Sequence, residues 1–259
     1  MPSYIEVCEQ AARAGAAVLV DWVGRFKIRE KGPADLVTEA DLAAQEAIKV
    51  VILTAFPDHD VLGEEDQAFQ ERKSEFRWVV DPLDGTTNYA HAVPHYCVSI
   101  ALEHQGNLLA ATIIDPNANE CYLASAGEGA YLNGEPMRVS TASSVTQALV
   151  ACGFPPNVRR SDREIQDFIR VLAVAQGIRR TGSAALNLAY VAAGRFDGFW
   201  ARETKSWDVA AGALLVKEAG GIMTGIDGTA FSLDRPQFLA AATLPLHQEM
   251  LKLINADLP

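Results

Sequence analysis

The chain has 259 residues, 49% of them apolar, with 33 Asp and Glu against 22 Lys and Arg for a formal net charge of −11. That composition supplies enough apolar surface for a sizeable core and argues against extended disorder, while the acidic excess argues against a surface that binds nucleic acid or an anionic membrane. A phosphate substrate stays open, because bound cations reverse the local sign of a site whatever the overall balance.

The segment Met1-Pro2-Ser3-Tyr4-Ile5-Glu6 lacks a basic leader, and the apolar stretch 14–20 is too short to cross a bilayer, so a soluble cytoplasmic protein is expected. Ile5, Cys8, Ala12, Ala16, Leu19, Val23 and Phe26 recur at intervals of three and four and predict one long first helix, started by Ser3 and Glu6 at capping-box spacing. A second helix is expected over 42–53, with Asp41 as its N-cap and Pro57 beyond its end. Short runs at 76–80, 96–102, 108–114 and 120–123, separated by Gly, Asn, Pro or Asp, read as an antiparallel meander. From about residue 140 the pattern alternates: strands at 148–152, 177–180 and 196–200, helices at 162–176, 183–193 and 208–219. The expectation is an α+β half over residues 1–140 and an α/β half over 141–259, packed face to face. Cys8, Cys97, Cys121 and Cys152 are scattered, without a Cys-x-x-Cys pair, and read as buried small side chains of a reducing compartment.

The chemistry concentrates in Trp78-Val79-Val80-Asp81-Pro82-Leu83-Asp84-Gly85-Thr86-Thr87-Asn88, an apolar strand running into two aspartates three residues apart and then a glycine and hydroxyls. Two carboxylates at the mouth of a buried strand repel each other unless a cation lies between them, and hard oxygen donors suit magnesium, manganese or calcium. Gly85 permits a tight turn, so the N–H groups of Gly85, Thr86 and Thr87 would cradle a phosphate beside the metal. The same string also fits a plain polar turn. Two further acidic blocks tip the balance: Val61-Leu62-Gly63-Glu64-Glu65-Asp66, and Trp207-Asp208-Val209-Ala210-Ala211-Gly212 opening an Ala-rich helix. Each has a plain alternative, a solvated loop for Glu64 and Glu65 and an N-cap for Asp208.

In order and spelling, Gly-Glu-Glu, Asp-Pro-Leu-Asp-Gly-Thr-Thr-Asn and Trp-Asp-Val-Ala-Ala-Gly together resemble the inositol monophosphatase family of magnesium-dependent, lithium-sensitive phosphatases. The resemblance extends to Asp35-Leu36-Val37-Thr38-Glu39-Ala40-Asp41 upstream and Thr181-Gly182-Ser183-Ala184-Ala185 downstream, nearly the whole chain. It implies a layered helix–sheet sandwich of the inositol monophosphatase and fructose bisphosphatase type, mixing α+β and α/β parts. It further implies that Glu64, Asp81 and the Leu83 carbonyl hold a first magnesium and that Asp81, Asp84 and Asp208 hold a second, with a third, weaker metal near Glu64. Manganese is the alternative metal, and lithium and calcium the expected inhibitors. Thr86 would hydrogen-bond the attacking water and Asp41 would orient Thr86. Gly182, Ser183 and Ala184 would offer amides to the rest of the substrate. His91 and His95 lie close to the metal loop but belong to no motif.

One departure stands out. Family members that prefer inositol phosphates usually carry a glutamate seven residues before the third-block aspartate, and here that position is Ala201. A site that loses a hydroxyl acceptor should relax or redirect its specificity, with Arg202, Glu203 or Lys205 as replacements or as ordinary loop charges. The expected function is therefore a phosphomonoesterase for an inositol-phosphate-like, histidinol phosphate or sugar phosphate substrate, acting as a cytoplasmic homodimer with neither nucleic-acid nor membrane partners. A nucleotide 3′-phosphatase or fructose-1,6-bisphosphatase of the same fold is the near alternative. A regulatory partner in RNA processing is the alternative of another class.

Overall fold

The computed structural model describes residues 2–32, 35–66, 73–155 and 157–256; Met1, and the side chains of Asp35 and Leu36 in the quoted upstream segment, lie outside the described residues. In chain order the elements begin with α1 (Tyr4–Trp22), β1 (Ile28–Gly32), β2 (Asp35–Thr38), α2 (Glu39–Ala55), β3 (Asp60–Gly63), β4 (Phe76–Asp84) and a short α3 (Thr86–Ala90). The meander continues through β5 (Cys97–His104), β6 (Asn107–Asp115), β7 (Glu120–Ser125), β8 (Gly129–Leu132) and β9 (Glu135–Pro136). Then come β10 (Leu149–Cys152), α4 (Arg163–Leu172), β11 (Gly177–Arg179), α5 (Ala184–Ala192), β12 (Gly198–Ala201), α6 (Ser206–Glu218), β13 (Ile222–Gly225), β14 (Phe238–Ala241) and α7 (Leu244–Ile254).

A seven-stranded sheet in the order β3-β4-β5-β6-β7-β8-β9 is antiparallel except for the parallel β3–β4 pair. A five-stranded sheet in the order β11-β10-β12-β14-β13 has β10 parallel to both neighbours. Strand alternation distributes the apolar residues between layers. Trp78, Val80, Ile100 and Leu102 face α1 and α2, while Val79, Ala101 and Ile113 face α5 and α6. Phe199, Phe238 and Ala240 of the second sheet close on the same α5–α6 layer from the other side, and Trp200, Leu239 and Ala241 turn to α4 and α7. The result is five layers, helix, sheet, helix, sheet, helix, with the α5–α6 pair enclosed between two sheets. Both helices are apolar nearly all round because they have no solvent face. Among the described residues no helix is long and apolar enough to cross a membrane, and all four cysteines are free and buried.

Gly212 of α6 sits where α5 crosses it: a Cβ built there would lie 2.4 Å from the Leu188 Cβ. A side-chain root cannot swing aside, so Gly212→Val should force the helices apart and destabilise the fold by about 1–3 kcal/mol, read as a lower urea midpoint at an unchanged slope. An unshifted midpoint would show that the enclosed layer has room to spare.

Three local expectations are corrected. The first helix stops at Trp22 rather than running to Phe26: Val23 is its C-cap and half exposed, and Phe26 packs in a tilted ring contact against Tyr89 from beyond the end. Asp41 is not the cap of α2. Thr38 is, and Asp41, at the third helical position, completes a capping box by accepting from the Thr38 N–H at 2.8 Å. Asp208 likewise lies two residues inside α6, accepting from the Lys205 N–H at 2.8 Å. The strands β13 and β14 and the helix α7, past the last predicted element, complete the second sheet and its outer layer.

Candidate active site

The site forms because β4 breaks its register at its end. Asp81 pairs with Ser99 and Asp84 with Cys97, so β4 spends three residues where β5 spends two. In a regular strand, residues three apart point to opposite faces; the extra residue cancels that, and Asp81 and Asp84 both face the α5–α6 side. Pro82 suits the break because it has no N–H to leave unpaired, and the Asp81 carboxylate accepts the Leu83 N–H at 3.0 Å. Gly85 then takes φ +101°, a left-handed conformation that turns the chain directly into α3.

Other elements bring the remaining groups to the same cleft, of about 480 Å³, lined by Glu64, Asp81, Leu83, Asp84, Gly85, Thr86, Thr87, Gly182, Ser183, Ala184, Glu203 and Asp208 among others. Glu64 follows β3, where its N–H donates to the Val80 carbonyl at 3.1 Å. Asp208 comes from the first turn of α6. Thr86 Oγ lies 3.3 Å from Asp41 Oδ1 and 3.1 Å from the Leu83 carbonyl, while the other Asp41 oxygen takes the Thr38 hydroxyl at 2.6 Å. Asp41 therefore completes the capping box of α2 and holds Thr86 with the same carboxylate.

The electrostatics are those of carboxylates without enough counter-charge. Burial pushes the Asp81 carboxyl well above its ordinary value, and Glu64, Asp84 and Asp208 push it further. Asp208 rises to about 8, chiefly by burial and then by Asp84, with only Lys205 and its backbone bond opposing. Asp84 rises to about 6 by burial, held back by hydrogen bonds from Ser183 and from the Ala184 and Ala185 amides. Among the described residues no three His, Cys, Asp or Glu side chains close on one point as a ready-made metal shell. One Asp84 oxygen is occupied, at 2.6 Å each, by the Ser183 hydroxyl and the Ala185 N–H.

Several expected substrate contacts are redirected. Ser183 is completely buried, caps α5 and spends its hydroxyl on Asp84; the Ala184 amide also faces Asp84 rather than open space. Arg202 does not enter the cleft: its Nε donates to Asp167 Oδ2 at 2.5 Å, because that buried carboxylate needs a counter-charge. Ala201 is completely buried in β12 and faces Gly153, a residue of the cleft wall, and its methyl group offers no acceptor there. Glu203 does line the cleft and is exposed.

The reading by motifs passed over Asn88, Phe154, Arg180 and Thr204, all on the cleft wall. Asn88 Nδ2 donates to the Thr181 carbonyl at 2.9 Å and to the His95 carbonyl at 2.7 Å, which ties the loop after β4 to the turn at Gly182. That turn needs glycine, with φ +92° and a Cβ position 2.9 Å from Asn88. Phe154 and Arg180 follow the carboxyl ends of β10 and β11, where parallel strands place ligand-binding loops; the predicted α/β pattern held that signal. The Arg180 guanidinium lies 5.6 Å over the Phe154 ring. His91 and His95 are not on the cleft wall; His95 packs edge-on against Tyr190.

The chain and its fold are similar to known proteins. The family model of the inositol monophosphatase family matches residues 2–258. An inositol-1-monophosphatase of Rhizobium meliloti is 42% identical over 219 residues, covering 83% of this chain and 82% of the relative. The Nus factor SuhB of Pseudomonas aeruginosa is 40% identical over 268 residues, covering 100% of this chain and 98% of the relative. The crystal structure of the extragenic suppressor protein SuhB from Bartonella henselae superposes with a TM-score of 0.92 at 37% identity, covering 98% of each chain. The chain belongs to the inositol monophosphatase family, and so to the phosphoric monoester hydrolases.

Proposed function

We propose that the protein is a magnesium-dependent phosphomonoesterase for a small polyol or related metabolite monophosphate, in the cytoplasm and as a homodimer. The observation that carries this reading is the convergence of Asp81, Asp84 and Asp208 on one cleft with their carboxyls pushed above the ordinary range by burial and by one another. A structure has little reason to hold such a cluster unless a cation offsets it. The donors suit a hard cation, being carboxylate, carbonyl and hydroxyl oxygens, and the Cys97 thiol, 3.9 Å from Asp84, is held protonated by burial and by Asp84 and Asp81.

Glu64, Asp81, Asp84, Asp208 and the Leu83 carbonyl would hold two or three magnesium ions. Bound there, the metal supplies Lewis-acid activation of water and neutralises charge on the phosphate. The chain's own groups do the rest. With its proton directed at Asp41, the Thr86 hydroxyl turns its lone pairs outward and accepts a hydrogen bond from the attacking water, orienting it. The Gly85, Thr86 and Thr87 N–H groups receive the phosphate oxygens at the turn into α3. Glu203, Thr204, Arg180 and Phe154 are left to meet the leaving group.

The test is phosphate release from a panel of metabolite monophosphates with magnesium, with and without chelator. Release from polyol esters that stops with chelator and is inhibited by lithium in the millimolar range supports the reading; chelator-resistant release sinks the metal requirement. A second reading has one observation in its favour: the full-length match to a relative called a Nus factor. A regulatory role of that kind predicts that the chain still does its work in the cell after Asp81→Asn, whereas the phosphatase reading predicts that it does not.

A further inference from the structure

Residues 202–205 join β12 to α6 and form part of the cleft wall through Glu203 and Thr204. The segment is tied down on either side of Glu203. Arg202 donates to Asp167 at 2.5 Å, to the Ile254 carbonyl at 2.8 Å and to Asn255 Oδ1 at 3.4 Å. Thr204 Oγ donates to the Pro236 carbonyl at 2.7 Å, and the Lys205 N–H to Asp208 at 2.8 Å. Asp167, from α4, is 0% exposed and also meets Arg170 at 3.3 Å and Arg163 at 3.7 Å. Burial pushes the Asp167 carboxyl up, and the Arg202 hydrogen bond is the strongest influence pulling it back, so Arg202 is its principal partner. Glu203, held between two anchored neighbours, is exposed to the cleft.

We propose that Asp167 is a positioning residue for substrate selection: through Arg202 it holds Glu203 in the cleft as the acceptor for leaving-group hydroxyls, the part that buried Ala201 cannot play. This rests on the phosphomonoesterase reading and adds a preference for polyol phosphates over esters whose leaving group has no hydroxyl. Holding a carboxylate in place beforehand removes the ordering cost that a free loop would charge to each binding event.

Steady-state kinetics of the full chain with magnesium, on inositol 1-phosphate and on p-nitrophenyl phosphate, test it. Arg202→Gln leaves Asp167 paired with Arg163 and Arg170, so it keeps the fold even where Asp167→Asn, which removes the buried charge that all three arginines share, does not. Arg202→Gln should lower kcat/KM for the inositol ester about tenfold, chiefly through KM, leave both constants for p-nitrophenyl phosphate unchanged, and be partly rescued by Arg202→Lys. Added to Glu203→Gln it should cost nothing further, because the two act through one contact. Equal losses on both esters, or additive losses in the double variant, overturn the proposal while leaving the phosphatase reading intact. A wild type that turns over neither ester overturns both.

Discussion

Asp81→Asn should reduce turnover by at least ~10²-fold at saturating magnesium while leaving the fold intact. Asp81 is 2% exposed, at the break in β4, and its carboxyl is pushed up by burial and then by Glu64, Asp84 and Asp208. Asparagine is nearly isosteric and its side-chain oxygen still accepts the Leu83 N–H, so the turn that sets Asp84 and Thr86 survives. What disappears is the charge shared by both proposed metal positions. The metal-free variant should melt no lower than the wild type, because a source of repulsion has been removed. Activity within tenfold of the wild type would remove Asp81 from the centre of the site.

The second large effect is on stability. In the metal-free protein Asp84 and Asp208 have folded values of about 6 and about 8 against an ordinary value of 3.8. Between those values the folded state binds more protons than the unfolded state, so these groups stabilise the protein at low pH and that contribution is lost as the pH rises from about 4 to 8. Chelated wild type should therefore lose more of its melting temperature between pH 5 and pH 8 than Asp208→Asn does, by several degrees, since ~1 kcal/mol moves a chain of this size by about 2–4 °C. Magnesium at about a hundred times its Kd should add about 2.7 kcal/mol and flatten the wild-type slope, because deprotonated carboxylates are the ligands. Parallel pH profiles for the two chelated proteins would show that Asp208 is not a carboxylate under strain.

The central strands of the meander, the alternating pattern after residue 140, most of the helices and the acidic motifs were legible in the sequence because each depends on neighbours close along the chain. Apolar residues at intervals of three and four are a helix face wherever the helix packs, and Asp-Pro-Leu-Asp-Gly spells a strand end and a turn on its own. The short strands β13 and β14 carry no such period, and their pairing with β12 is what makes them strands. The family resemblance named the carboxylates of the cleft, but the contacts that hold them there belong to the tertiary structure. Asp41 sits 45 residues from Thr86 and reaches it only through the packing of α2 against the end of β4. Arg202, one residue from Glu203 and no different from it in exposure by composition or pattern, is drawn inward because a buried aspartate 35 residues away needs a cation. Charge in a low-dielectric interior is settled by what lies within a few ångströms, and spacing along the chain does not report that distance.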